Sequence, residues 1–289
     1  MVDAGVREVL LTAQRNEITE HHIYKRLAQI MRDEHNSQVL RQIADDELDH
    51  YRFWQQYTHG EAEPDRWKVA RYVFIARVLG LTFSIKLMER SEERAQDVYA
   101  EVAGRLPSAE RIVHDEDRHE HELIGMLDEE RLRYIGSMVL GLNDALVELT
   151  GALAGLTLAL QNARVIGMAG LITGIAASLS MAASEYLSTK SEGGRQDPLK
   201  ASLYTGVAYV FTVILLIAPF FIFDHFLAAI ALTLINALII ILVFTFYISV
   251  ARDLDFRHRF LEMAAISFGV AALSFGIGFA VREVLGIEI

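Results

Sequence analysis

The second half of this 289-residue chain contains five apolar stretches, at roughly 134–158, 165–188, 203–223, 226–250 and 260–282. Each reaches the ~20 residues that an α-helix needs to cross a hydrocarbon core. In lipid, every backbone N–H and C=O must be paired within the protein, and for apolar runs of this length the helix is the form that achieves it. Residues 131–289 are therefore expected to form a five-span helical membrane domain. An odd number of spans places the two ends of the chain on opposite sides. Arg131 and Arg133 precede the first span, Lys190, Arg195 and Lys200 lie between the second and third, and Arg252, Arg257 and Arg259 lie between the fourth and fifth. The remaining connections offer Arg164, nothing at Phe223 to Phe226, and Arg282 near the end. Positive-inside asymmetry puts the N-terminal half in the cytoplasm and the C-terminus opposite. The first 30 residues carry no uninterrupted apolar core, so no signal peptide is expected, which agrees with that orientation. The short connections favour a cell membrane over an organelle.

The first half is different in kind. Residues 1–134 hold 27 acidic and 19 Lys/Arg side chains, against 11 and 8 in 135–289. Nothing is basic enough for nucleic acid, and with no cysteine any metal must be held by oxygen and nitrogen ligands. Periodicity and breakers predict four bundle helices: A over 4–32, B over 36–58, C over 81–103 and D over 108–130. Thr58-His59-Gly60 and the polar run to Pro64 end B, Gly80 sets off C, and Pro107-Ser108 precedes D. Residues 66–79 form the crossover between B and C, apolar enough through Trp67, Tyr72, Phe74 and Ile75 to lie on a membrane surface or a second subunit. One long connection among short ones is the wiring of a ferritin-like four-helix bundle. The fold class is thus all-α, a ferritin-like bundle over 1–130 followed by the membrane domain over 131–289.

Two repeats supply the chemistry. Glu47-Leu-Asp-His50 and Glu116-Asp-Arg-His119 each put a carboxylate and an imidazole one helical turn apart, so each pair shares a helix face. Glu17 and Tyr24 share a face on A, and Glu89, Glu92 and Glu93 compete as the contribution of C. Carboxylates on four helices with two Glu-x-x-His pairs make a di-metal pattern, in which carboxylates bridge two cations and neutral imidazoles cap one each. Iron, manganese or zinc would accept such donors. Asp45, Asp46, Asp49, Asp115 and Asp117 are expected on solvated faces, and Glu20, His21, Glu120 and His121 at the surface or behind the ligands. With Glu-x6-Tyr on A and Glu-x-x-His on both B and D, this half resembles the rubrerythrin branch of the ferritin-like superfamily. That resemblance implies a site for two iron ions with Fe(II) oxidation as an associated activity, on Glu17, Glu47, His50, Glu116 and His119 and a helix C carboxylate, Glu89 or Glu92.

The spans contain a second set of charges. Asn143, Asp144 and Glu148 lie in the first, and Ser180, Met181, Ser184 and Glu185 in the second. A mid-bilayer charge costs about 2.5–3.5 kcal/mol on insertion scales, so these acids are expected to face an ion path. Asp144/Glu148 and Met181/Glu185 are i, i+4 pairs, and carboxylates with a thioether suit a first-row divalent cation. For Glu185 an interfacial position near Lys190 competes with the path. Glycines at 151, 155, 167, 170 and 174 read as helix-packing positions. Gly141-Leu-Asn-Asp144-Ala-Leu-Val and Ser178-Leu-Ser-Met181-Ala-Ala-Ser-Glu185-Tyr resemble the first two spans of the vacuolar iron transporter family, with Ala145 and Ser184 in place of family glycines. The acidic segment that many members insert between spans two and three is reduced here to Ser188–Leu199. Proteins joining both halves are called membrane-bound ferritins, and the chain resembles one along its full length. The resemblance implies a homodimer that exchanges Fe(II) against protons, and hence iron export from the cytoplasm through Asp144, Met181, Glu148 and Glu185. A membrane-anchored ferroxidase or peroxidase, and a transporter of manganese or another divalent ion, are the competing readings.

Overall fold

A computed structural model describes residues 4–31, 33–88, 90, 110–125, 134–194 and 196–285. All regular elements among them are helices. They belong to two compact units, 1–129 and 130–289.

In the first unit, α1 (Ala4–Ile30) and α2 (Glu34–Thr58) form an antiparallel pair. Ser37 Oγ donates to the Ala28 carbonyl at one end and Thr58 Oγ1 to Gln14 Oε1 at the other. α2 begins two residues before the expected start because the Asp33 carboxylate accepts the Asn36 N–H at 2.8 Å, a side-chain N-cap. It ends at His59, whose φ of 50° is left-handed. The crossover is itself a helix, α3 (Arg66–Leu79), capped by Asp65, which accepts from the N–H groups of Trp67 and Lys68. Gly80 stops it at φ 103°, where a side chain would be strained, and helix α4 resumes over 81–88. α5 spans Glu110–Gly125. The rest of helix C and the expected ends of D lie outside the described residues.

Ile23, Leu27, Leu40 and Ile43 form the core with Val69 and Tyr72 of α3 and Ile85 and Met88 from the next segment. Of the four apolar residues that suit the crossover to a membrane surface or a second subunit, Tyr72 is buried and Ile75 half-buried against the core, while Trp67 and Phe74 are exposed. A helix packed on a bundle must bury one stripe, and the 3.6-residue period assigns 69, 72, 73 and 76 to it.

The second unit consists of α6 (Ile135–Leu160), α7 (Ala163–Glu192), α8 (Pro198–Ile222), α9 (Phe226–Ala251) and α10 (Phe256–Leu285), five helices long and apolar enough to cross a membrane. The second, third and fifth run well past their apolar stretches. α7 continues through Ser188, Lys190 and Glu192 until Gly193 turns left-handed at φ 62°, so most of the expected connection 188–199 is helical. Leu146, Leu149, Leu153, Tyr209, Leu216, Phe220 and Ile241 fill the interior, while Ile172, Leu179, Leu203, Val207 and Ile214 face out. Hydrocarbon is the solvent that such an outer surface requires.

Two local devices hold these helices together. A Cβ on Gly141 would come within 2.5 Å of the Thr205 carbonyl, and one on Gly278 would overlap that of Gly155, so small residues set both approaches. Pro219 inside α8 cannot donate to the Leu215 carbonyl. Asn236 of α9 donates to that oxygen instead at 2.9 Å, and Thr233 donates to Leu216 at 2.8 Å. Membrane helices keep prolines when a neighbour re-pairs the freed carbonyls in this way.

Candidate metal centre

The i, i+3 spacing on two helices becomes a single site because α1, α2 and α5 turn their polar stripes toward one another. Glu17, Glu47, His50 and Glu116 each offer one ligand atom, all within 4.8 Å of one another. His50 Nδ1 lies 3.3 Å from Glu47 Oε2, 3.4 Å from Glu116 Oε1 and 3.7 Å from Glu17 Oε2. The second imidazole faces the same two carboxylates from the other side. His119 Nδ1 lies 3.3 Å from Glu47 Oε1 and 4.0 Å from Glu116 Oε2. The ring centroids are 5.9 Å apart. Glu47 and Glu116 thus each present one oxygen to each histidine, the arrangement by which a carboxylate bridges two cations.

The donors fit a metal on their own chemistry. His119 Nδ1 is buried without a hydrogen-bond partner, and an orphaned ring nitrogen among carboxylates is a ligand position. Glu17 is fully enclosed and its pKa is pushed from 4.5 up to about 7 by burial, with Glu47 adding to the rise against the opposing hydrogen bond to His50. Burial pushes the His50 imidazolium down, but Glu116, Glu17 and Glu47 outweigh it and hold its pKa above the ordinary value. His119 is raised for the same reason, with Glu47 and Asp46 overcoming burial. The pocket therefore binds positive charge strongly, and a divalent cation would take over that charge and release protons.

Behind the ligands are residues that spacing did not single out. Asp115 Oδ2 lies 3.5 Å from His50 Nε2, and Asp46 Oδ2 lies 3.1 Å from His119 Nε2. Arg118 clamps both aspartates, at 3.1 Å and 2.8 Å. Each histidine is held from behind by the aspartate that precedes the glutamate of the opposite helix, which fixes the ring and leaves Nδ1 toward the site. Asp46 and Asp115 are therefore not the solvated faces expected of them, whereas Asp45 and Asp49 are exposed. The sequence carries the signal in the repeat itself, Asp46-Glu47-x-x-His50 and Asp115-Glu116-x-x-His119, which extends each Glu-x-x-His pair by one residue. Trp54 Nε1 donates to Glu17 Oε1 at 3.0 Å and leaves Oε2 toward His50. His21 Nδ1 is engaged with the Ala44 carbonyl at 2.6 Å, a structural contact, and His121 is exposed. Tyr24 is packed in the core. Glu89 and Glu92 fall outside the described residues.

In the second unit the polar residues form a ladder along α6. Ser137, in its first turn, donates to Glu185 Oε1 of α7 at 2.5 Å, which sets Glu185 at the end of the span. Asp144 lies seven residues further along, about 10 Å at 1.5 Å per residue, and is half-buried. One turn beyond it Glu148 is exposed, and Tyr209 of α8 donates to its Oε2 at 2.9 Å. Met181, one turn from Glu185, packs against the interior of the unit.

Residues 8–127 match the rubrerythrin family model, and residues 135–194 match that of the VIT family. The chain joins a rubrerythrin domain to a VIT domain. No curated protein matches it. The rubrerythrin match encloses all five ligand candidates on α1, α2 and α5, and with the Glu/His cluster it assigns a di-iron type of site to this bundle. The VIT match covers α6 and α7 and encloses Asp144, Glu148, Met181 and Glu185. With five bilayer-length helices, the chain is a multi-pass membrane protein whose VIT domain is of a metal-transporting kind.

Proposed function

We propose that the protein exports Fe(II) from the cytoplasm in exchange for protons, with the rubrerythrin domain as its cytosolic iron-capture site. The observation that carries this reading is a pocket of three carboxylates and two histidines, all buried except the half-buried Glu116, in the same chain as a VIT-matched span pair that holds acids. Glu17, Glu47, His50, Glu116 and His119 would hold two iron ions together with Glu89 or Glu92. Asp144, Met181, Glu148 and Glu185 would pass the ion through the membrane. Carboxylates that lose a cation take up a proton at neutral pH when their surroundings disfavour charge, which supplies the coupling. A homodimer is supported by Glu148, an acid exposed on the surface of a membrane helix, where a second copy would enclose it. The basic connections favour a cytoplasmic position for the bundle, and the short connections favour a cell membrane.

The test is Fe(II) flux into liposomes holding the purified protein, with and without a pH gradient. D144A should abolish flux, and E47A should weaken but not abolish it. Flux that ignores the gradient would remove proton exchange. Normal flux in D144A, with oxygen consumption lost in E47A, would make the chain a membrane-anchored ferroxidase, the reading favoured by the two carboxylates that face both histidines. The donor set accepts Mn(II) and Zn(II) as well, and competition in the same flux assay ranks them.

A further inference from the structure

The 14 residues of α3 include four cations, Arg66, Lys68, Arg71 and Arg77, and no acid. They interrupt a half that is otherwise strongly acidic. α3 turns Val69, Tyr72, Val73 and Ala76 onto the bundle core. Its opposite face is also apolar along the middle: Trp67 is 72% and Phe74 65% exposed, with Val78 exposed one turn further on. Arg66, Arg71 and Arg77 are exposed beside this stripe, and the Arg71 guanidinium lies 5.6 Å from the Trp67 ring centroid.

Water is a poor partner for a turn-spaced Trp and Phe, and the charge pattern selects the partner. A symmetric copy would set four cations against four, because a twofold contact brings a patch against itself. An apolar stripe rimmed by arginines is complementary to anionic headgroups over acyl chains, and tryptophan favours that level of a bilayer. The same chain carries five helices long and apolar enough to cross a membrane, so the bundle is tethered to a bilayer. We propose that α3 is an interfacial helix that seats Trp67, Phe74 and Val78 in the headgroup region of an anionic leaflet.

The chain has two tryptophans, and Trp54 is buried beside Glu17, so Trp67 reports on this face. Full-length protein is placed in nanodiscs of phosphatidylcholine, with or without phosphatidylglycerol, in which part of the phosphatidylcholine is brominated along its acyl chains. The difference between wild type and W67F isolates the Trp67 emission. In anionic discs this emission should be quenched by the brominated lipid and shielded from aqueous iodide. Each Lys or Arg at an anionic surface strengthens attachment about fivefold, so R66Q/R77Q should lower the docked-to-undocked ratio about 30-fold and reopen Trp67 to iodide. Trp67 open to iodide and untouched by bromine would overturn the proposal in favour of a solvated face. Shielding from both would overturn it in favour of a protein contact, and equal quenching in neutral discs would overturn the role of the cations.

Discussion

Glu17 is where the metal centre conflicts most with the stability of its own bundle, and Glu17→Gln separates the two. The folded protein holds Glu17 at about 7 against an ordinary 4.5. A raised carboxylate favours the protonated folded state: its contribution is fully present below pH 4.5 and is lost as pH rises through 7. At 1.36 kcal/mol per unit, the metal-free protein forfeits about 3 kcal/mol at alkaline pH. A glutamine side chain in its place keeps an oxygen for Trp54 and cannot ionise, so E17Q should match wild type in acid and be up to about 3 kcal/mol more stable at pH about 8. Metal binding should change in the opposite sense. In the wild type, affinity should fall about tenfold per pH unit below 7 on account of Glu17 and lose that dependence above it. His50, held above its ordinary value by Glu116, Glu17 and Glu47, releases a proton of its own on metal binding, a contribution that E17Q does not remove. Anaerobic Fe(II) or Zn(II) titrations of the full-length protein in detergent, from pH about 5.5 to 8.5, read the break, and denaturant unfolding reads the stability. A break near pH 7 that survives in E17Q, or an E17Q no more stable than wild type in alkali, refutes the reasoning.

The aspartates behind the histidines give a second expectation: D46N and D115N should each weaken metal binding about 10- to 100-fold without removing a ligand, as measured by chelator competition. G278A places a methyl group against the Gly155 carbonyl, so α6 and α10 must part, at a cost of about 1–3 kcal/mol that a lowered thermal midpoint in detergent would register. N236L strands the carbonyl freed by Pro219 and should cost about 1 kcal/mol. In a P219A background, where α8 donates to Leu215 itself, the same change should be nearly neutral, and a double-mutant cycle measures the difference.

Relations within one helix or one apolar run were legible from the residues alone. The five spans follow from length and hydropathy because lipid leaves the backbone no alternative, and the Glu-x-x-His pairs follow from the pitch of a helix. The Gly80 break and the small residues at close helix approaches are local signals of the same kind. Relations between helices were not legible. That Asp46 holds the histidine of α5, and Asp115 that of α2, depends on which faces meet, and an aspartate beside a glutamate reads as surface charge until the opposite helix is in place. Trp67 and Tyr72 are equally apolar in the sequence, yet the packing of α3 buries one and exposes the other. The titration of Glu17 arises only once its neighbours exclude water and crowd it with like charge. The chain by itself thus determined which residues could bind metal and which segments must lie in lipid. Tertiary structure decided how the ligands are oriented, how readily they give up their protons, and which apolar side chains remain exposed, because each of these is set by what packs against them from elsewhere in the chain.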